Sequence, residues 1–132
     1  MFILPSSQDS SPMVILEAVS FGLPIIASRV YAVPEMVIDG RNGFLIAPGF
    51  DYFTDEFIAN GPYWRPLGLQ KAVSTYYPNV EEDLILPITM LANEGVRKSM
   101  SVEAAAIFHE KFSDKVREVN FLNLFGTLRT EL

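Results

Sequence analysis

Asp9 and Glu17 lie eight residues apart in the stretch LPSSQDSSPMVILEAVSFGLPII, Leu4 to Ile26. Glu17 stands alone among Met13, Val14, Ile15, Leu16, Ala18 and Val19, a run that is apolar almost all round and therefore reads as a helix buried on most sides. A buried carboxylate is costly unless something donates to it. The donor here is left open between a basic side chain, backbone, water and the hydroxyls of a ligand. Asp9 belongs to the polar loop before that helix, Pro5 to Ser11. Loop and first turn together offer free backbone N–H groups at the positive end of the helix dipole, which suits an anion such as phosphate.

The elements that must hold these residues follow from local chemistry. Phe2 to Leu4 reads as a short strand. Ser10 or Ser11 suits the N-cap, Pro12 the first helical position and Gly22 the position just past the helix end, where φ is positive. Ile25 to Ala27 reads as a buried strand lying parallel to the first, which makes a βαβ unit. A short helix over Glu35 to Ile38, a turn at Asp39 to Gly43 and a third strand at Phe44 to Ile46 complete this half. Residues 51–82 differ. Seven aromatics (Tyr52, Phe53, Phe57, Tyr63, Trp64, Tyr76, Tyr77) fall among Pro62, Pro66 and Pro78 with no sustained period, which describes an ordered excursion rather than a flexible linker, with a lid or a docking surface as the alternatives. From Asp83 a helical pattern returns. Pro87 implies a late start or a kink. Asn93 is placed to cap Glu94 to Phe112, with Met100, Ala104, Ile107, Phe108 and Phe112 facing the core. Ser113 is placed to cap a last helix, Asp114 to Phe125, with Val116, Val119, Leu122 and Phe125 inward.

Composition narrows the functions. The 132 residues suffice for one domain. Hydrophobic residues make up 49% and mean hydropathy is +0.23, high for a domain standing alone, so part of the apolar surface belongs to an interface. No run approaches the roughly 20 apolar residues of a membrane helix. The start lacks signal-peptide character, and the default location is the cytoplasm or a cytoplasmic face. Cysteine is absent, which excludes disulfides, a thiolate nucleophile and zinc-finger sites. A net charge of −6 argues against non-specific nucleic-acid binding and against charge-driven docking on anionic membranes. The single histidine, His109, between Phe108 and Glu110, reads as a helix-surface residue rather than a catalytic one. Glu35 reads as a helix-start acid, Asn42-Gly43 as a turn, and the aromatic run as packing of the excursion rather than a sugar platform.

The stretch resembles the donor-binding half of retaining glycosyltransferases of the two-Rossmann-domain class, family 4. The match is Leu4-Pro5-Ser6, Asp9, Glu17-Ala18, then Gly22-Leu23-Pro24-Ile25-Ile26-Ala27-Ser28, Val33-Pro34-Glu35 and Asp39-Gly40-Arg41-Asn42-Gly43-Phe44-Leu45-Ile46. It covers residues 2–49 closely and residues 83–125 loosely. The resemblance implies an α/β fold: a partial Rossmann-like parallel sheet of about three strands with flanking and C-terminal helices. It implies a donor domain over residues 2–50, an aromatic-rich insertion over 51–82 and closing helices over 83–128.

The resemblance also implies roles. Glu17 matches the carboxylate that accepts from the ribose of a sugar nucleotide. Asp9 matches the acid that holds donor-sugar hydroxyls near the reacting carbon, and stands equally as a loop acid capping Ser11 or the helix. Ser10, Ser11, Pro12, Met13 and Val14 match the segment facing sugar and diphosphate, with the backbone N–H groups of Ser11, Met13 and Val14 turned to them. No metal or other cofactor is required, and the donor is a nucleoside-diphosphate sugar. Three departures stand out. Asp9 replaces a glutamate, Tyr31-Ala32 replaces a small pair often containing glycine, and the acceptor domain and first donor-domain strands are expected to lie outside this chain. Three strands leave a sheet edge bare. On that ground a second function is weighed: a catalytically incomplete module that a partner chain, a missing N-terminal half or a second copy completes.

Overall fold

The computed structural model describes residues 1–51, 53, 58–61 and 65–130, with side chains as far as residue 126 in the last helix. Three strands, β1 (Phe2–Leu4), β2 (Ile25–Ser28) and β3 (Gly43–Ile46), form one parallel sheet in the order β1-β2-β3. Phe2 pairs with Ile25 and Leu4 with Ala27, while Ile25 pairs with Gly43 and Ser28 with Ile46. The fold is therefore α/β, a partial Rossmann-like sheet with helices on its faces.

Alternation along the strands separates two cores. Ile25 and Ala27 point to one face, where Ile15, Ala18 and Val19 of α1 (Met13–Ser20) bury with Val33 and Met36 of α2 (Val33–Met36). Ile26 and Ile46 point to the other, against Leu91 of α4 (Pro78–Ala92) and Met100 of α5 (Glu94–Ile107). All four residues of β2 are buried. A buried Ile or Val stabilises by about 1.5–3 kcal/mol, so β2 is the centre of the packing. Ile3, pointing away from the α1 side on the edge strand, stays 36% exposed.

The turn between α2 and β3 is fixed by one buried amide. Asn42 is fully buried; its Nδ2 donates to the Met36 carbonyl at 2.9 Å and its Oδ1 accepts from the Ile38 N–H at 2.7 Å. The next residue must be glycine, because a Cβ at Gly43 would sit 2.0 Å from the Ile25 carbonyl oxygen. A helical stop is placed as its residue predicts: Gly22 has φ +67° just past α1.

Several boundaries depart from the sequence reading. Helix α2 covers Val33–Met36, not Glu35 to Ile38, because Pro34 enters its first turn. Helix α4 starts at Pro78, well before Asp83, for the same reason, and runs through Pro87. Pro87 is buried, and its ring takes the place of an N–H that would have bonded the Asp83 carbonyl. Before it, α3 (Pro66–Ser74) packs Ala72 against Phe50, with Phe53 and Tyr77 alongside. Tyr52, Phe57, Pro62, Tyr63 and Trp64 lie outside the described residues.

Asn93 caps α5 as expected, its Oδ1 accepting from the N–H groups of Gly95 (2.9 Å) and Val96 (3.2 Å). Arg97 completes the corner by donating to the Leu91 and Ala92 carbonyls at the end of α4. Met100, Ala104 and Ile107 are buried, with Phe108 and Phe112 packed half-buried against the α1 core, as the stripe predicts. The α-helix ends at Ile107, however, and a π-helical turn occupies Phe108–Phe112. The last helix, α6 (Asp114–Thr130), keeps only the start of its expected inward face: Val116 is half-buried, but Val119, Leu122 and Phe125 are 54%, 65% and 53% exposed. Ser113 stands at the N-cap position of α6, its carbonyl accepting from Arg117 N–H at 3.0 Å, while its hydroxyl donates back to the His109 carbonyl at 2.8 Å and closes the π turn. Among the described residues no helix is long and apolar enough to cross a membrane.

Candidate functional site

The loop between β1 and α1 opens at the carboxyl end of the sheet. Its shape is made by its own side chains. The Ser6 hydroxyl accepts from the Gln8 N–H and donates to the Gln8 carbonyl, at 3.3 and 3.1 Å. Asp9 Oδ1 accepts from the Ser11 N–H at 3.3 Å, an Asx turn. The Ser10 carbonyl accepts from Ala32 N–H at 3.4 Å, which joins this loop to the turn after β2.

Pro12, buried and with ψ 99°, is itself the N-cap of α1; neither Ser10 nor Ser11 caps it by a side chain. Ile15 N–H reaches the Pro12 carbonyl at 2.9 Å, and the N–H groups of Met13 and Val14 make no hydrogen bond among the described residues. The Ser11 N–H, expected to be free for a ligand, is held by Asp9.

Glu17 departs from expectation in one respect. It is exposed, and it makes no ion pair among the described residues. Only the stripe Ile15, Ala18 and Val19 is buried in α1, so a helix apolar on most sides turns Met13, Val14 and Phe21 to solvent, at 61%, 40% and 83%. Glu17 needs no internal donor. It borders a groove of about 630 Å³ between α1, the π-helical turn and α6. Met13 and Leu16 line the α1 side, Phe108 and Phe112 the floor, and Lys111 and Arg117 add cations. Arg117 is paired with Asp114 at 2.9 Å. Asp9, Ser10 and Ser11 do not line this groove. The structure thus groups Met13 with Glu17, one helical turn apart on one face, and groups Asp9, Ser10 and Ser11 with the turn after β2.

Reading by sequence missed Lys111 and Arg117, and took Tyr31 only as a departure from a small pair. Nothing local announces the first two, since they line the groove beside Glu17 only because the π turn and α6 face α1 there. Tyr31 carries a local signal, an aromatic where the β2–α2 turn takes φ +45°. Glu35 and His109 are exposed surface residues on their helices. Among the described residues no group of three or more His, Asp or Glu side chains is placed to hold a metal ion.

A parallel sheet with its loops gathered at the strand carboxyl ends is the class defined by this geometry, one that takes ligands in the crevice there. Residues 1–59 match the family model described as Glycosyl transferases group 1. Over 51 residues the chain is 39% identical to a sulfoquinovosyl transferase of Arabidopsis thaliana, an alignment covering 36% of this chain and 10% of that protein. It is 41% identical over 44 residues to a D-inositol 3-phosphate glycosyltransferase of Streptomyces avermitilis, covering 33% and 10%. It is 42% identical over 55 residues to a D-inositol 3-phosphate glycosyltransferase of Catenulispora acidiphila, covering 39% and 13%. The matched stretch spans about a tenth of the length of these relatives. The similarity is to glycosyltransferases, and the family-model match spans β1 to β3, α1 and α2.

Proposed function

We propose that this chain is the C-terminal part of a retaining glycosyltransferase of family 4, which moves a sugar from a nucleoside-diphosphate sugar to an acceptor. The observation that carries the reading is the match of residues 1–59 to glycosyltransferases of group 1, over the segment that forms the loop and helix at the strand carboxyl ends. Glu17, exposed beside a groove of nucleotide size, accepts from the ribose hydroxyls. The unbonded N–H groups of Met13 and Val14 meet the diphosphate at the positive end of α1. Asp9 turns from the Ser11 N–H to the donor-sugar hydroxyls, which frees that N–H for the ligand. Ser10 and Pro12 hold the loop between them.

In this mechanism the acceptor oxygen attacks the anomeric carbon on the face from which the diphosphate leaves. The carbon–oxygen bond to the diphosphate breaks as the new one forms, and a diphosphate oxygen takes the acceptor's proton. The protein's contribution is to position the groups and stabilise the departing negative charge, with no protein base and no metal needed. The rest of the donor site and the acceptor site come from a further segment or a partner chain. The whole works in the cytoplasm or at the cytoplasmic face of a membrane.

A second reading has its own support: this chain as an incomplete interaction module. Ile3 on the edge strand, Met13 and Val14 on α1 and Phe21 just past its end leave apolar side chains exposed.

Titration of the ¹⁵N-labelled chain with UDP- and GDP-sugars decides between them. The first reading expects shifts over Ser11 to Glu17; silence at millimolar ligand sinks it for this chain. Glu17→Ala is then expected to weaken binding of uridine or guanosine about tenfold or more, the loss of a charge-assisted hydrogen-bond pair. Pyrophosphate binding is expected to change little. Equal loss for both ligands refutes the ribose role.

A further inference from the structure

We infer that Tyr31 is a specificity-determining residue of the half-site, its ring forming a platform for the donor sugar held by the Asp9 loop; the inference rests on the sugar-nucleotide reading above. Three independent observations meet at this residue. Its backbone sits at φ +45°, a left-handed conformation that a bulky side chain adopts at a cost glycine would not incur. No other described non-glycine residue has positive φ. The next residue, Ala32, donates to the Ser10 carbonyl at 3.4 Å, so Tyr31 stands directly beside the loop that carries Asp9. Its ring is steadied edge-on by Phe53 at 5.9 Å and 85°, yet Tyr31 remains 41% exposed.

The packing explains why the strain is tolerated. Val30 N–H bonds the Ser28 carbonyl and Val33 N–H bonds the Val30 carbonyl, at 2.9 and 3.0 Å, so the turn is fixed on both sides of Tyr31. Phe53 forms an isolated antiparallel bridge with Ala59, and through this ring contact the excursion reaches the turn after β2. A turn that backbone geometry would assign to glycine instead holds an aromatic ring at the carboxyl end of the central strand. Aromatic faces stack on the C–H faces of sugar rings and are preorganised when a neighbour fixes their torsions. The Asp9 side of the site is the sugar side, whereas Glu17 lies on the ribose side, so the ring discriminates sugars and not bases.

The test compares the unmodified chain with Tyr31→Gly and Tyr31→Phe. Affinities for UDP-glucose, GDP-mannose, UDP and GDP are read by ¹⁵N shifts, with a thermal melt for each variant. Tyr31→Gly removes the ring and the strain together. The expected result is an unchanged or higher melting midpoint, sugar-nucleotide affinity about tenfold lower, and UDP or GDP affinity changed less than twofold. Tyr31→Phe is expected to bind as the unmodified chain does. The proposal is overturned if Tyr31→Gly binds the sugar nucleotides within twofold of the original or more tightly. It is overturned equally if free nucleotide affinity and melting midpoint fall together with it, or if Tyr31→Phe loses as much as the glycine variant. An unmodified chain that binds UDP and GDP no worse than their sugars keeps the nucleotide reading and removes this one. A chain that binds none of the four removes both.

Discussion

Asn42 shows how one side chain determines a turn. Its amide satisfies the Met36 carbonyl and the Ile38 N–H in a site closed to water. Asn42→Ala leaves both backbone groups buried and unpaired. The expected cost is about 3 kcal/mol, enough to lower the melting midpoint by roughly 10 °C in a chain this long. Asn42→Asp is expected to do no better, since it keeps the acceptor but loses the donor and buries a charge. A midpoint within 3 °C of the original (roughly 1 kcal/mol) would show that water or rearrangement satisfies the site. The sequence marks Asn42-Gly43 as a turn but not as buried. The signal it lacks is the clearance above Gly43, set by Ile25, a residue far back in the chain. Glu17 is the converse case. Its apolar neighbours suggested burial, but composition cannot say which stripe of a helix meets the sheet. The buried stripe is Ile15, Ala18 and Val19, and the acid falls outside it.

At the scale of elements, legibility followed the range of the forces involved. All three strands lie within a residue of their expected positions because each is a short apolar run bounded by turn residues. The capping of α5 by Asn93 is equally local, and Asn93→Ala is expected to cost about 1 kcal/mol, seen as a small loss in a denaturant melt. Pro78 misled because it was read as a break, and Pro34, read as the opening of a short helix, was placed before its first turn rather than within it. Both stand in the first turn of a helix, where their missing N–H costs nothing. The junction of α3 and α4 adds a pH-dependent contact. The Tyr76 hydroxyl donates to the Glu81 carboxylate, and this bond, with the nearby charges of Glu81 and Glu82, holds the phenol above the ordinary tyrosine value of about 10. A group whose folded value is raised contributes stability in full below its unfolded value. That contribution is lost as pH rises through the folded value. An alkaline titration followed by phenolate absorbance should therefore show a late-titrating phenol that Tyr76→Phe removes and Glu81→Gln returns toward 10. A titration curve that Tyr76→Phe leaves unchanged at its alkaline end would rule the contact out.

For the whole molecule, stability is distributed unevenly, and this bears on what the C-terminal segment does. Strand β2 is buried between α1 on one face and α4 and α5 on the other. Helix α6 meets the remainder chiefly through the π-helical turn, and Phe121, Leu122 and Leu124 are 60%, 65% and 59% exposed. An isolated helix of this length is marginal in water without a packed face. Native-state hydrogen exchange should accordingly divide the chain. Amides of β2 should exchange only through global opening, on the order of 5–10 kcal/mol, and those of α6 through local opening of about 2 kcal/mol or less. If α6 proves as protected as β2, some surface covers it, and dilution tells which. Protection that fades on dilution identifies a second copy of the chain. Protection that persists means α6 has closed onto α1 across the groove beside Glu17, and the same closure would bury Met13 and narrow the space proposed for the ribose.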